Sequence, residues 1–511
     1  MDLAEERYDF GCTEDGHPYA VPRPDGPVLN VGHVVRLLRG GQVSLRTELA
    51  AAYRADTGKV PGQQALTDAL SVIEGMAHEA EPRPVAIRVA ADEYGTRWLD
   101  LGDKDGRVVV LKEAGGWEVL HNTDGTMFRR TKLTGALPVP LRGGQLDRLW
   151  SVLNVAAADR PLVLGWLVAA IICPDIPHPV LALFGEQGTG KSSACRRLVS
   201  LVDPSPVPLR KPPKEPESWV TAALGSWVVG LDNLSAVPDW LSDSLCRAVT
   251  GDGDVRRQLY TDDGLAVFAF RRAVILNGID VGALRGDLAD RTLTVNLDVI
   301  PERDRLPESE LDEAWELAYP LILGALLDQC CAVLLRLPSV RLGTSPRMAD
   351  FARILAALDQ INGSDGLARY LGQARSLAED TIDADSFLAA LRKTVTREFT
   401  GTSADLLAHV EHRLGGEGWR APKDWPSSRT VTALLRRNAP GLRRLGWTVE
   451  TQPRSRDSGV LRWHLRPEGC EEKAAKPPAQ SAHPADARIA RMNSPTTPAT
   501  PRPGAARGGT Q

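Results

Sequence analysis

The sequence predicts an α/β protein: a parallel-sheet core with a phosphate-binding loop, small helical and β-rich modules before it, and a winged helix after it. Three observations predict this. Short apolar runs, VLALFG, WVVGLD and AVILNG, alternate with helical patterns, as buried parallel strands do. The glycine-rich octet Gly185-Glu186-Gln187-Gly188-Thr189-Gly190-Lys191-Ser192 follows the first run directly. Near the end of the chain, arginine is concentrated around one helical pattern and two strand-like segments.

The elements follow in order. Residues 44–80 show apolar spacings of three and four on either side of the breaker TGKVPG, so residues 1–80 read as a helical module. VAIRVA, TRWLDLG, RVVVLK and GWEVLH, divided by Gly and Asp turns, make 83–140 a small β-rich module. Residues 144–300 hold the alternating core, and 301–397 are helical almost throughout. Residues 402–466 form the arginine-rich block. Residues 468–511 contain seven prolines, with Ile489 and Met492 as their large aliphatic side chains, so they are expected to be disordered.

Composition narrows the function classes. With 43% hydrophobic and 25% charged residues in a chain of 511, about three folded domains are expected. Seven cysteines without metal-type spacing exclude a disulfide scaffold and a zinc module. Cys330 and Cys331 sit in an apolar helical pattern and read as core. Residues 1–9 are acidic and polar, unlike a signal peptide. The longest apolar run, 162–173, has 12 residues, against the ~20 that span a bilayer. A cytoplasmic location without a membrane partner is therefore expected.

The octet satisfies G-x-x-x-x-G-K-[ST] between a strand-like run and the helical SSACRRLVSLV. Such a turn offers backbone N–H groups and the positive end of a helix to phosphate oxygens. Residues 185–193, Ser193 included, are therefore expected to bind ATP. Lys191 would reach the β- and γ-phosphates and Ser192 would ligate Mg²⁺. About 40 residues on, WVVGLD ends in Asp232, an acid placed to hold the same ion. Asn233 stands where many ATPases carry a catalytic Glu, and an amide takes no proton from water. Either Asn233 orients the water or the base is elsewhere, with Glu186 and Asp232 as candidates. Asn277 closes the third strand as a sensor of the γ-phosphate or of the attacking water, and Arg291, 14 residues later, is a candidate arginine finger, with Arg285 its nearest competitor. The competing reading of Arg291 is a surface ion pair with Asp287 or Asp290.

Loop, Asp-Asn strand, TGDGD with a basic pair, Asn-ending strand and Asp-Arg, in this order within about 110 residues, resemble the superfamily 3 helicases. More narrowly, phrases such as TGKVPGQQALTDAL, WLDLGD, FRRTKLTGALPVP, LDNLS and LADRTL, spread over 44–466, are similar to the poxvirus-type primase-helicase ATPases of phages and actinobacterial integrative elements. The resemblance implies a ring-forming, AAA+-like motor, a hexamer, that moves along single-stranded or forked DNA. It implies Lys191 and Ser192 as phosphate and Mg²⁺ ligands, Asp232 as second acid, Asn277 as sensor, Arg291 as finger, and 251–270 as a hairpin in the pore. There Arg256 and Arg257 would hold the phosphate backbone and Tyr260 would stack on a base, the alternative being an ordinary solvated loop. The segment before 138 lacks primase signatures, so a separate primase would be the partner.

The net charge of −4 hides a division. Residues 429–466 hold nine Arg against Glu450 and Asp457, a net +7, while 1–428 carry −13. SSRTVTALLRRNAPGLRRLGWTVE followed by SGVLRWHL reads as a helix, a turn broken at Gly441 and a two-stranded wing. Arg436 and Arg437 on the helix, with Arg443 and Arg444 beyond Gly441, are the expected DNA contacts. The expectation is an ATP-dependent DNA helicase or translocase. The alternatives are an ATP-switched DNA-binding regulator, or a defence ATPase without helicase activity, and more remotely a small-molecule kinase.

Overall fold

The computed structural model describes residues 1–23, 32–40, 43–251, 254–257, 265–268, 270–278, 286–343, 345–415, 419–452 and 461–470, with the backbone alone at 254–257 and 265–268. The expectation for the tail therefore lies almost wholly outside the described residues, as do Tyr260 and Arg285.

The first eighty residues are mixed rather than helical. Helices α1 (Asp2–Arg7), α2 (Leu45–Thr57) and α3 (Gln63–Glu79) accompany strands β1 (Tyr8–Cys12), β2 (Pro18–Pro22) and β3 (Val34–Leu37). The expected pair of helices is present, and Gly58 ends α2 in the left-handed conformation at φ 71°. The sequence does not mark β1 and β2 as strands because Gly and Pro interrupt them. Then follow β4 (Val85–Ala86), β5 (Val89–Ala91), β6 (Arg97–Asp100), β7 (Val108–Lys112), β8 (Gly116–Leu120) and β9 (Met127–Arg129). Strands β5-β6-β7-β8 form an antiparallel sheet, whereas β4 and β9 join the first three in the order β1-β2-β3-β9-β4. The sequence boundary near residue 80 is thus crossed by one sheet.

The core begins with α4 (Asp147–Val152) and α5 (Arg160–Ile172), the latter buried from Leu162 to its end. It continues through β10 (Val180–Phe184), α6 (Lys191–Val202), β11 (Leu209–Arg210), α7 (Pro216–Leu224), β12 (Val228–Leu234) and α8 (Asp239–Thr250). After the hairpin β13 (Asp254–Arg257) and β14 (Leu265–Phe268) come β15 (Ala273–Gly278), α9 (Gly286–Ala289) and β16 (Thr292–Asn296). Five parallel strands lie in the order β11-β12-β15-β10-β16. Leu181 and Leu183 of β10 face the core shared with α5 and α6, while Val180, Ala182 and Phe184 face the one shared with α7 and α8. Burial on both faces is why these strands read as unbroken apolar runs.

Helix α10 (Glu308–Arg336) carries Pro320 within it. By length and composition it could cross a membrane, but 67% of its apolar window is buried in the protein. The segment before α4 crosses it closely: Leu141 N–H donates to the Pro320 carbonyl at 2.9 Å. Helices α11 (Ala349–Asn362) and α12 (Gly366–Asp383) complete this layer. Gln373 of α12 exchanges both amide hydrogen bonds with the backbone of Thr294, covering the open edge of β16 as another strand would.

The N-terminal sheets are fastened to the core by Arg88, which is fully buried. Its guanidinium donates to Asp203 Oδ1 at 2.9 Å and to the carbonyls of Asp100 and Gly135. Asp203 Oδ2 accepts from the backbone N–H groups of Trp227 and Val228.

The C-terminal unit runs α13 (Ser386–Thr394), β17 (Phe399–Thr402), α14 (Ser403–Leu414), α15 (Ser428–Arg444), β18 (Thr448–Gln452) and β19 (Arg462–Arg466), with sheet order β17-β19-β18. The turn expected at Gly441 is corrected: α15 continues through Pro440 and Gly441 to Arg444. Buried Ala439, Leu442 and Leu445 anchor this last turn in the same core as Leu435 and Trp463, which outweighs the hydrogen bond lost at proline.

Two predictions follow from packing and burial. A Cβ at Gly324 would run into the Leu141 carbonyl oxygen, whereas Gly372 on α12 faces open space. Gly324→Ala should therefore cost about 1–3 kcal/mol and lower the thermal midpoint, while Gly372→Ala should not lower it; equal midpoints for the two variants would contradict the close crossing. His178 is fully buried, edge-on to Trp227, and burial lowers its pKa to about 4. Below about pH 6.5 the unfolded chain binds a proton that folded His178 refuses, so stability falls as the pH drops from 6.5 towards 4. Between pH 6.5 and 5 the loss is about 2 kcal/mol, and urea titrations of His178→Phe should show a correspondingly flatter pH profile.

Candidate functional site

The loop between β10 and α6 needs its glycines. Gly185, Gly188 and Gly190 have φ of 146°, 85° and 80°, a region that L side chains rarely enter. Thr189 is buried and its hydroxyl donates to the Glu186 carbonyl at 3.0 Å. Glu186 and Gln187 are exposed at the tip. Lys191 Nζ donates to the carbonyls of Gly185 at 2.8 Å and Glu186 at 2.6 Å, so the ammonium lies across the loop. Burial holds that ammonium below its usual pKa. Ser192 and Ser193 stand half-buried in the first turn of α6, at the positive end of its dipole. One turn on, Cys195 is buried and its thiol is pushed up to about 12, which leaves no nucleophile there.

The carboxyl ends of β12 and β15 bring polar groups to the loop. Ser192 Oγ donates to Asp232 Oδ1 at 2.9 Å, and Asn277 Nδ2 donates to the same oxygen at 2.7 Å. Asn277, 1% exposed, uses its other end as well, because its Oδ1 accepts from Asn233 N–H at 2.8 Å. The strand register shifts between Leu231 and Leu234. Asn233 takes up that irregularity with φ 56°, a left-handed conformation that asparagine tolerates better than most residues. The residue is exposed. The structure therefore gathers 185–193, Asp232, Asn233 and Asn277 into one site.

Arg291 is not part of that cluster. Strands β10 and β16 are parallel, with Val180 beside Thr292 and Phe184 beside Asn296. Arg291 precedes β16, so it lies at the opposite end of the sheet, about 20 Å of strand away from the loop. Its guanidinium contacts Asp287 Oδ2 at 2.5 Å, which is the ion-pair alternative for this residue. A cation missed in the sequence stands nearer: Arg305 Nη2 is 3.0 Å from where a Cβ on Gly188 would lie. No motif marks Arg305, and only the fold carries the chain after β16 back along the loop. Asn154 contributes there too, donating to the carbonyls of Thr189 at 3.1 Å and Asp298 at 2.6 Å.

The arginines expected to meet DNA divide into groups. Arg256 and Arg257 lie in β13, paired antiparallel with Ala266 and Leu265 of β14, so the expected hairpin is present in the backbone. On α15, Arg436 and Arg437 are exposed. Arg443 instead donates to the Val449 carbonyl at 2.6 Å, and Arg444 pairs with Asp290 of the core.

Residues 146–380 match the family model of the actinomycete integrative conjugative element replication protein, AICE RepA, and residues 387–479 match that of the AICE RepA C-terminal domain. No curated protein matches the chain. Among solved structures, the chain is similar to the A form apo structure of the NrS-1 C terminal region, with 12% identity and a TM-score of 0.41 over 92% of this chain and 98% of that one. A second apo structure of that region, residues 305–718, gives 13% identity and a TM-score of 0.39 over 91% and 97%. Likeness at this level carries no argument about chemistry.

Asn277→Leu removes the donor to Asp232 and the acceptor for Asn233 N–H. It should cost about 1–3 kcal/mol, as expected for buried polar groups left unpaired, and should speed hydrogen exchange at the Asn233 amide. An unchanged exchange rate would separate Asn277 from the cluster.

Proposed function

We propose that this chain, matched through its core and C-terminal segments by a replication-protein family of integrative conjugative elements, is the ATP-hydrolysing DNA motor of such a system. The observation that carries the reading is the Ser192–Asp232–Asn277 cluster at the lip of the glycine loop. In the core sheet, β10 lies between β15 and β16 although the chain visits β11 and β12 before either. The loop thus opens at the carboxyl ends of the strands, beside a switch in connection direction, where open α/β sheets take their ligands. Strand order and loop together support a P-loop NTPase core of the AAA+ type.

The donor set fits ATP and Mg²⁺. Loop N–H groups and the α6 terminus suit phosphate oxygens, and Lys191 adds a positive charge at the loop. Ser192 and Asp232 are the oxygen donors that would hold Mg²⁺, which when bound supplies charge neutralisation on the phosphates. Asn277 fixes the carboxylate of Asp232 and the backbone of Asn233 together, leaving the Asn233 side chain to orient the attacking water. The proton acceptor is Glu186 or Asp232. Arg291, turned away from its own loop, suits a finger given to a neighbouring subunit, and so a ring.

In the C-terminal unit, the order helix-strand-helix-helix-strand-strand supports a winged helix. Exposed Arg436 and Arg437 on α15 would meet DNA phosphates, and the β13–β14 hairpin would meet single-stranded DNA in the ring. One observation favours a second reading, an ATP-switched DNA-binding regulator: Asn233 cannot take the proton from water.

Lys191→Ala should lower ATP turnover by about a hundredfold, and single-stranded DNA should raise wild-type turnover. Wild-type turnover in Lys191→Ala would falsify the site. A chain that binds ATP without sustained hydrolysis in the presence of DNA is the switch. Forks with 3′ and 5′ tails, assayed beside sizing with ATP, test unwinding and the hexamer.

A further inference from the structure

Five charged side chains run without a break from Arg291 to α15. Asp287 divides its oxygens, Oδ2 to Arg291 Nη1 at 2.5 Å and Oδ1 to Arg347 Nη1 at 2.7 Å. Asp290 does the same, with Oδ2 3.6 Å from Arg347 and Oδ1 on Arg444. The side chains of Arg291, Asp290 and Arg444 are 12%, 17% and 26% exposed. The Asp290–Arg444 pair is therefore screened less than surface pairs, whereas Asp287 and Arg347, 57% and 38% exposed, are open to solvent. A cleft of about 590 Å³ opens along the chain of charges, lined by Asp287, Asp290, Arg347 and Arg437. The candidate DNA helix and the candidate finger thus share one set of counter-ions.

We propose that Asp287, Arg347 and Asp290 are positioning residues that set Arg291 according to whether Arg444 is held by Asp290 or by a DNA phosphate. This rests on the functional reading above. Each carboxylate serves two arginines, so removing one partner redistributes the other. When a phosphate takes Arg444, Asp290 is left to Arg347 alone. Its longer contact with Arg347 shortens, and Arg347 is drawn off Asp287. Asp287 then holds Arg291 without a competitor, and the direction of the finger is fixed. The acidic groups act as an internal substitute for the DNA backbone, and their release is the signal.

The test has two arms on the full-length chain. The first needs no hydrolysis. By fluorescence anisotropy with a labelled oligothymidylate, Asp290→Asn should bind about five-fold more tightly, the worth of one partly buried ion pair no longer competing. Asp290→Asn combined with Arg444→Met should show no such gain. In the second arm, Arg347→Met should bring the ratio of ATP turnover with and without oligothymidylate close to unity. Arg347→Lys, which keeps the charge but not the forked geometry, should recover part of the ratio and remains readable if Arg347→Met folds poorly. Affinity of Asp290→Asn within about two-fold of wild type, or a wild-type stimulation ratio in Arg347→Met, overturns the proposal. A wild-type chain that binds DNA but never turns over ATP overturns the catalytic reading instead, and the first arm then decides the competition at Arg444.

Discussion

One buried carboxylate sets the geometry of the molecule. Asp203 closes α6 and takes the backbone N–H groups that begin β12, while Arg88 neutralises it from the N-terminal sheet. The far ends of the same two elements carry Ser192 and Asp232. Asp203 therefore fixes the spacing of a helix and a strand whose opposite ends meet at 2.9 Å. A pair so deeply buried adds little net stability when intact, yet removing one partner strands a charge. The β-rich modules are thus part of the core's scaffold rather than an appendage.

The site depends on a second economy of groups. Asn277 sits at the end of a wholly buried strand, where an unpaired amide would be costly. Both its donor and its acceptor are used, one on the acid and one on the bulged backbone of Asn233. That bulge leaves Asn233 exposed to solvent while its backbone is held. Rigidity there comes from sheet and core, while the loop itself is shaped by three glycines in conformations closed to other residues.

Much of this was legible in the sequence, for physical reasons that also explain the failures. Strands β10, β12 and β15 announce themselves because burial on both faces leaves no room for polar residues, and the loop because a turn with φ above zero at residues 185, 188 and 190 calls for glycine. Strands β1 and β2 do not, since YDFGC and PYAVP mix polar, Gly and Pro residues that read as irregular. Gly441 looked like a helix end because local propensity ignores the hold of Leu442 and Leu445 in a distant core. Arg443 and Arg444 read as free cations because a charge shows no partner in sequence; Asp290 lies 154 positions from Arg444. Arg305 carried no signal at all, being brought to the loop solely by the return of the chain after β16.

The strand order has a consequence for how the protein is made. In the core sheet β10 has two neighbours, β15 and β16, both synthesised about a hundred residues after it. As the chain leaves the ribosome, VLALF stays without a strand partner until β15 has emerged, and its other edge stays open until residue 296 follows. Pairings this distant are slow to close and leave strand edges open to other chains. The glycine loop therefore takes shape late in synthesis, after the residues that will fasten it from both sides.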